Sequence, residues 1–103
     1  IERKNVFIVV LGEDAAKEGF ILLDKLRKAG IQAEMDYSGK SVKAQMRRAD
    51  ALESRFVVII GEDELKKGVV GLKDLASGEQ KETRIENLVL ELNSVRKNGM
   101  SIV

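Results

Sequence analysis

Two short stretches limit what this chain can fold into. Val6-Phe7-Ile8-Val9-Val10-Leu11 and Phe56-Val57-Val58-Ile59-Ile60 are uninterrupted apolar runs rich in β-branched residues. A strand with one wet face alternates apolar and polar residues, so a strand with no polar position has to be covered on both faces. Neither run approaches the roughly 20 apolar residues that a membrane span needs. The chain therefore calls for a sheet with helices on both sides, and the segments between the runs supply them.

After the first run, Gly12-Glu13-Asp14 turns the chain, with Asp14 as the expected cap of a helix. Ala15, Gly19, Leu22, Leu23 and Leu26 draw one apolar stripe along that helix. Lys25, Arg27 and Lys28 suit its carboxyl end, and Gly30 stops it. Ile31 to Met35 alternates as a second strand, and Asp36 to Ser41 is a loop with capping residues. A second helix then points Val42, Met46, Ala49 and Leu52 inward and Lys43, Arg47 and Arg48 elsewhere. The third strand, Phe56 to Ile60, ends at Gly61, and Glu62 to Gly68 makes one short helical turn. Val69 to Leu75 and Gln80 to Arg84 read as a hairpin around Ala76-Ser77-Gly78. Thr83-Arg84-Ile85-Glu86 fits a capping box ahead of a last helix striped by Ile85, Leu88, Val89, Leu92 and Val95. Lys97 onward is expected to fray.

The fold class is thus α/β. A mixed five-stranded sheet, three parallel strands plus an antiparallel hairpin, carries three helices in a three-layer-like arrangement. One domain spans residues 1–103, with its core at about 5–96. Leu11 and Val70 are expected to pack in the core or at the sheet edge.

Composition removes most catalytic chemistry. With no cysteine and no histidine, the chain has no thiolate, no disulfide and neither the commonest general base nor the commonest metal ligand. A formal net charge of +1 requires any nucleic-acid contact to come from a local patch. Ile1 to Asn5 is polar and runs straight into a strand, unlike a signal or transit peptide, and the cytoplasm is the expected compartment. Gly39-Lys40-Ser41 resembles the end of a phosphate loop, but Glu34 stands where that motif needs a glycine. No G-x-G-x-x-G follows the first strand. Glu62-Asp63-Glu64 could serve a cation or act as a general acid, but it reads first as a solvated acidic turn. Position gives these segments interest all the same. Open α/β sheets bind ligands at the carboxyl ends of their strands, where Gly12 to Asp14, Asp36 to Ser41 and Gly61 to Glu64 should converge. The chain reads as a binding module rather than an enzyme.

The order and spacing of several segments carry a resemblance. They are Asn5 to Gly12, Leu26 to Ile31, Asp36-Tyr37-Ser38-Gly39-Lys40-Ser41-Val42-Lys43-Ala44-Gln45-Met46, Ala49-Asp50, Arg55 to Leu65, Gly68 to Leu75 and Gly78-Glu79-Gln80. Together they resemble the C-terminal anticodon-binding domain of histidyl-tRNA synthetases, over roughly Asn5 to Val95. The Ser38-Gly39-Lys40-Ser41 loop and the Gly61-Glu62-Asp63-Glu64 turn favour the histidine branch over the threonine, proline and glycine relatives.

The resemblance implies contact with a tRNA anticodon loop. Glu62 and Glu64 would accept from base amino groups, Lys73 and its neighbour Asp74 would approach from the next strand, and Gly39 and Lys40 would lie beside the same bases. Lys43 and Arg47 would extend Lys40 into a positive stripe at i, i+3, i+7 spacing. Where relatives often carry arginine this chain has Lys40 and Lys73, which lack the bidentate fork. The resemblance implies no cofactor in this domain. ATP and magnesium belong to a catalytic domain whose motifs this chain lacks, and that domain is an expected partner. A homodimer would form through the parent protein. Ile1 as first residue suggests a fragment or an excised domain. The competing expectation is a regulatory or interaction module that kept the fold and lost base recognition.

Overall fold

The structure, a computed structural model, describes residues 5–98, with side chains as far as residue 94. The elements follow the alternation of the sequence: β1 (Val6–Val10), α1 (Glu13–Lys28), β2 (Ala33–Met35), α2 (Val42–Ala51), β3 (Phe56–Ile60), α3 (Glu62–Lys67), β4 (Val69–Asp74), β5 (Gln80–Arg84), a 3-10 turn (Ile85–Asn87) and α4 (Leu88–Asn98). The sheet order is β2-β1-β3-β4-β5. The first three strands are parallel, with Val6 level with both Ala33 and Phe56. The hairpin β4–β5 continues the sheet antiparallel, so the mixed five-stranded sheet of the sequence reading is the observed one.

Each apolar run divides its side chains between two cores. Val6, Ile8, Val10, Val58 and Ile60 pack with Leu22, Leu26, Leu88 and Leu92 from α1 and α4. Phe7, Val9 and Val57 pack with Ala49 and the half-buried Val42 and Met46 of α2. Strands enclosed in this way need apolar residues at every position, which is why these runs show no alternation. In α1 the buried positions are the expected Ala15, Gly19, Leu22, Leu23 and Leu26. Gly19 lets the helix approach closely: a Cβ there would stand 2.7 Å from Val10 Cγ1.

Several local expectations are corrected. Asp14 does not cap α1, which starts at Glu13 after Gly12 with no side-chain cap. Gly12 has φ +102° and ψ 162°, a region essentially reserved for glycine, so the turn is set by backbone freedom. Leu11 is more than half exposed, because β1 ends at Val10 and the Gly12 turn leads the chain out of the sheet. Leu52 is exposed, lying one residue beyond α2. Thr83 forms no capping box: its backbone pairs with Val70 in β5 and its side chain is buried. Lys97 lies within α4, and the side chain of Val95 falls outside the described residues.

Candidate functional site

The parallel arrangement of β2, β1 and β3 brings their carboxyl ends to one edge of the sheet. The Leu11-Gly12 turn, the 36–41 loop and Gly61 with the start of α3 therefore lie side by side. Two cavities mark this edge. One of about 300 Å³ is lined by Val10, Leu11, Met35 and Ala16 and by Phe20, Tyr37 and Lys40. The other, an open groove of about 500 Å³, runs between Leu11-Gly12 and Gly61 to Glu64.

The 36–41 loop is tightly specified by side-chain-to-backbone bonds. Asp36 Oδ1 accepts from the Ser38 N–H at 2.9 Å and from the Ser38 hydroxyl, an Asx-type turn. The Ser38 hydroxyl, then the Ser38 N–H and the nearby Lys40 and Arg48 charges, hold the Asp36 carboxyl below its ordinary range. Lys40 Nζ lies 3.9 Å from the other Asp36 oxygen. Ser41 caps α2 by accepting from Ala44 N–H at 3.2 Å.

The residue that organises this edge escaped the sequence reading. Gln45 is 1% exposed. Its Oε1 accepts from Val10 N–H at 2.9 Å, and its Nε2 donates to Val10 C=O and to Lys40 C=O, both at 2.8 Å. A lone glutamine in a charged helix gives no signal of this. The one available clue was that a buried strand longer than its neighbour leaves polar backbone to be satisfied.

On α2, Lys43 and Arg47 are exposed one turn apart, and neither has an ion-pair partner among the described residues. Lys40, Lys43 and Arg47 thus follow the loop into the first two turns of the helix. The acidic turn is partly a cap: Glu64 Oε1 accepts the Gly61 N–H at 2.9 Å, and Glu62 and Asp63 occupy the first turn of α3, where the helix dipole favours them. Glu64 also lines a smaller cavity, of about 270 Å³, with Ile59, Gly71, Gln80 and Glu82 over β3, β4 and β5.

Lys73 and Asp74 stand apart from this edge. Because β4 runs antiparallel, they lie level with Val57 and Phe56 at the amino ends of the parallel strands, about 10 Å from the loop edge at the usual rise per strand residue. Lys73 is half-buried on the sheet face of Val57, two residues along from Gly71. Asp74 is corrected to a structural role. It is 1% exposed and bonds Arg55 through both carboxylate oxygens at 2.8 and 3.0 Å. It also caps the turn by accepting from Ala76 N–H at 2.9 Å. Burial pushes its carboxyl up, but the Arg55 guanidinium and the turn N–H groups outweigh this and hold it below its ordinary range.

Among the described residues, no group of three or more histidine, cysteine, aspartate or glutamate side chains could hold a metal ion. Among the described residues, no helix is long and apolar enough to cross a membrane.

Comparison with known proteins adds a family to this geometry. Residues 5–94 match the family model described as the anticodon binding domain. The histidine–tRNA ligase of Desulforamulus reducens is 47% identical over 86 residues, covering 84% of this chain and 20% of that protein. That of Pelobacter propionicus is 48% identical over 84 residues, again 20% of its length. This chain therefore spans about a fifth of such relatives. Apo Staphylococcus aureus histidyl-tRNA synthetase superposes with a TM-score of 0.81 at 35% identity, over 86% of this chain and 26% of that one. The RNA binding domain of a Cryptosporidium parvum threonyl-tRNA synthetase reaches 0.78 at 20% identity, over 96% and 24%, a likeness of fold alone.

Proposed function

The chain belongs to the anticodon-binding domain family, and we propose that it serves a histidine–tRNA ligase by gripping the anticodon loop of histidine tRNA. The observation that carries this reading is the convergence of Gly39, Lys40, Glu62 and Glu64 on one sheet edge, in a chain 47% identical to a histidine–tRNA ligase. Unpaired loop bases turn their pairing edges outward, where carboxylates accept from amino groups and lysines donate to base oxygens or phosphates. Glu62 and the free oxygen of Glu64 supply acceptors, and Lys40, Lys43 and Arg47 supply donors. Lys73 offers a further cation on the sheet face beyond Glu64.

Aminoacylation itself, with its ATP and magnesium, belongs on this reading to a catalytic domain elsewhere in the parent enzyme, working in the cytoplasm as a homodimer. The domain then positions tRNA and performs no chemistry of its own, consistent with a chain without histidine or cysteine. Affinity for an isolated stem-loop is expected to be weak, because a module of net charge +1 neutralises few phosphates.

The reading is tested by binding a labelled anticodon stem-loop of histidine tRNA to the chain, in parallel with a scrambled anticodon on the same stem. Preference for the first supports the proposal. Equal binding of both, or none at low salt, transfers the surface to a regulatory module that contacts protein instead.

A further inference from the structure

We propose that the exposed Phe20–Tyr37 pair is a stacking platform for one unpaired base of the bound RNA loop. The proposal rests on the anticodon-loop reading and deepens it. The chain has four aromatic residues, three phenylalanines and one tyrosine. Phe7 and Phe56 fill the cores, and the other two are 51% and 58% exposed. Those two come from different elements, α1 and the loop after β2, and still meet with ring centroids 4.9 Å apart at an interplanar angle of 25°. Each ring gives one face to its partner and leaves about half its surface in water. The core does not require this, and burying either ring inward would have gained apolar burial.

Location gives the pair a partner of definite chemistry. The rings line the 300 Å³ cavity together with the apolar Val10, Met35 and Ala16 and the carboxylates Glu13 and Asp36. Lys40, 3.9 Å from Asp36, lines the same cavity, with Lys43 and Arg47 beyond it lacking ion-pair partners among the described residues. Aromatic rings beside cations match an unpaired nucleotide, which presents a flat apolar face attached to a phosphate. A base laid on the free ring face extends the two-ring stack to three, and its phosphate falls to the lysine side. Asp36 holds Tyr37 in place from within the loop, through its bonds to Ser38.

The test compares the wild-type chain with Phe20→Leu, Tyr37→Leu and the double variant, with Leu90→Ala on α4 as a distant exposed control. Affinity for the histidine anticodon stem-loop is read by fluorescence anisotropy, and thermal melting checks the fold. NOEs are sought between base protons and the ring of Tyr37, the single tyrosine and hence unambiguous. The double variant is expected to bind about 5- to 100-fold more weakly with unchanged melting, the control to bind as wild type, and ring-to-base NOEs to appear. If wild type binds and the double variant binds equally without such NOEs, the platform is overturned while the anticodon reading stands, and the ring pair becomes a protein-contact patch. If wild type does not bind, both fail.

Discussion

Gln45 completes the sheet where β2 stops short: its carboxamide pairs with both the N–H and the C=O of Val10, at 2.9 and 2.8 Å. β2 follows β1 only as far as Ile8, level with Met35, so Val10 has no strand neighbour on that side. The glutamine imitates the missing peptide, and its second N–H holds the Lys40 carbonyl. A single buried side chain thereby fixes the end of the central strand and the loop proposed to meet RNA.

Replacing Gln45 by leucine is expected to strand three backbone groups. A buried unsatisfied group costs about 1–3 kcal/mol, and partial relaxation should bring the total to about 3 kcal/mol. Urea unfolding checks the magnitude. Hydrogen exchange checks the cause, since the Val10 amide should lose protection out of proportion to the sheet as a whole. Gln45→Glu should be at least as damaging at neutral pH, because a carboxylate cannot donate to the two carbonyls.

Asp74→Ala should cost about 3 kcal/mol, as expected when one member of a buried ion pair is removed, and should leave RNA binding by the folded protein unchanged. The pair also predicts acid sensitivity. The folded carboxyl is held below its unfolded value of about 3.9. Its contribution is therefore complete above that value and is lost as pH falls through the lower folded value. Wild type should weaken in that acid range more steeply than Asp74→Ala, measured by thermal melting between neutral and strongly acidic pH.

Gly19→Ala tests how closely α1 lies on β1. The added methyl would stand 2.7 Å from Val10 Cγ1 and 3.3 Å from Met35 Cε. Overpacking costs about 1–3 kcal/mol, partly offset by the roughly 1 kcal/mol that alanine gains over glycine in a helix. A net loss of about 1 kcal/mol is expected in chemical denaturation, and a gain in stability would contradict the packing.

Ser54→Ala should be neutral or slightly stabilising. Its hydroxyl is buried with no hydrogen-bond partner, so the alanine variant loses no bond and removes a desolvated polar atom. A clear drop in melting temperature would show that the hydroxyl has an unseen partner.

The large features were legible because burial wrote them into residue types. β1 and β3 had to be apolar at each position, and the α1 stripe matched its buried face residue for residue. β5 was weaker as a signal because Gln80, Glu82 and Arg84 are exposed and only Thr83 is fully buried. Thr83 itself looked like a cap because the motif is local, whereas the strand pairing that claimed it is not. At the site, the convergence of the three loops followed from parallel topology alone. Gln45, the exposed Leu11 and the distance of Asp74 from the edge did not, since each depends on where one strand ends relative to another.

The central claim is most directly tested by following backbone amide shifts of the labelled chain as the histidine anticodon stem-loop is added, with a scrambled loop as the control. The account predicts shifts clustered at residues 37–43 and 61–64, with a smaller response near Lys73, for the cognate loop alone. Equal shifts with both RNAs, or shifts centred on α4 and the Arg55–Asp74 end of the sheet, would contradict it.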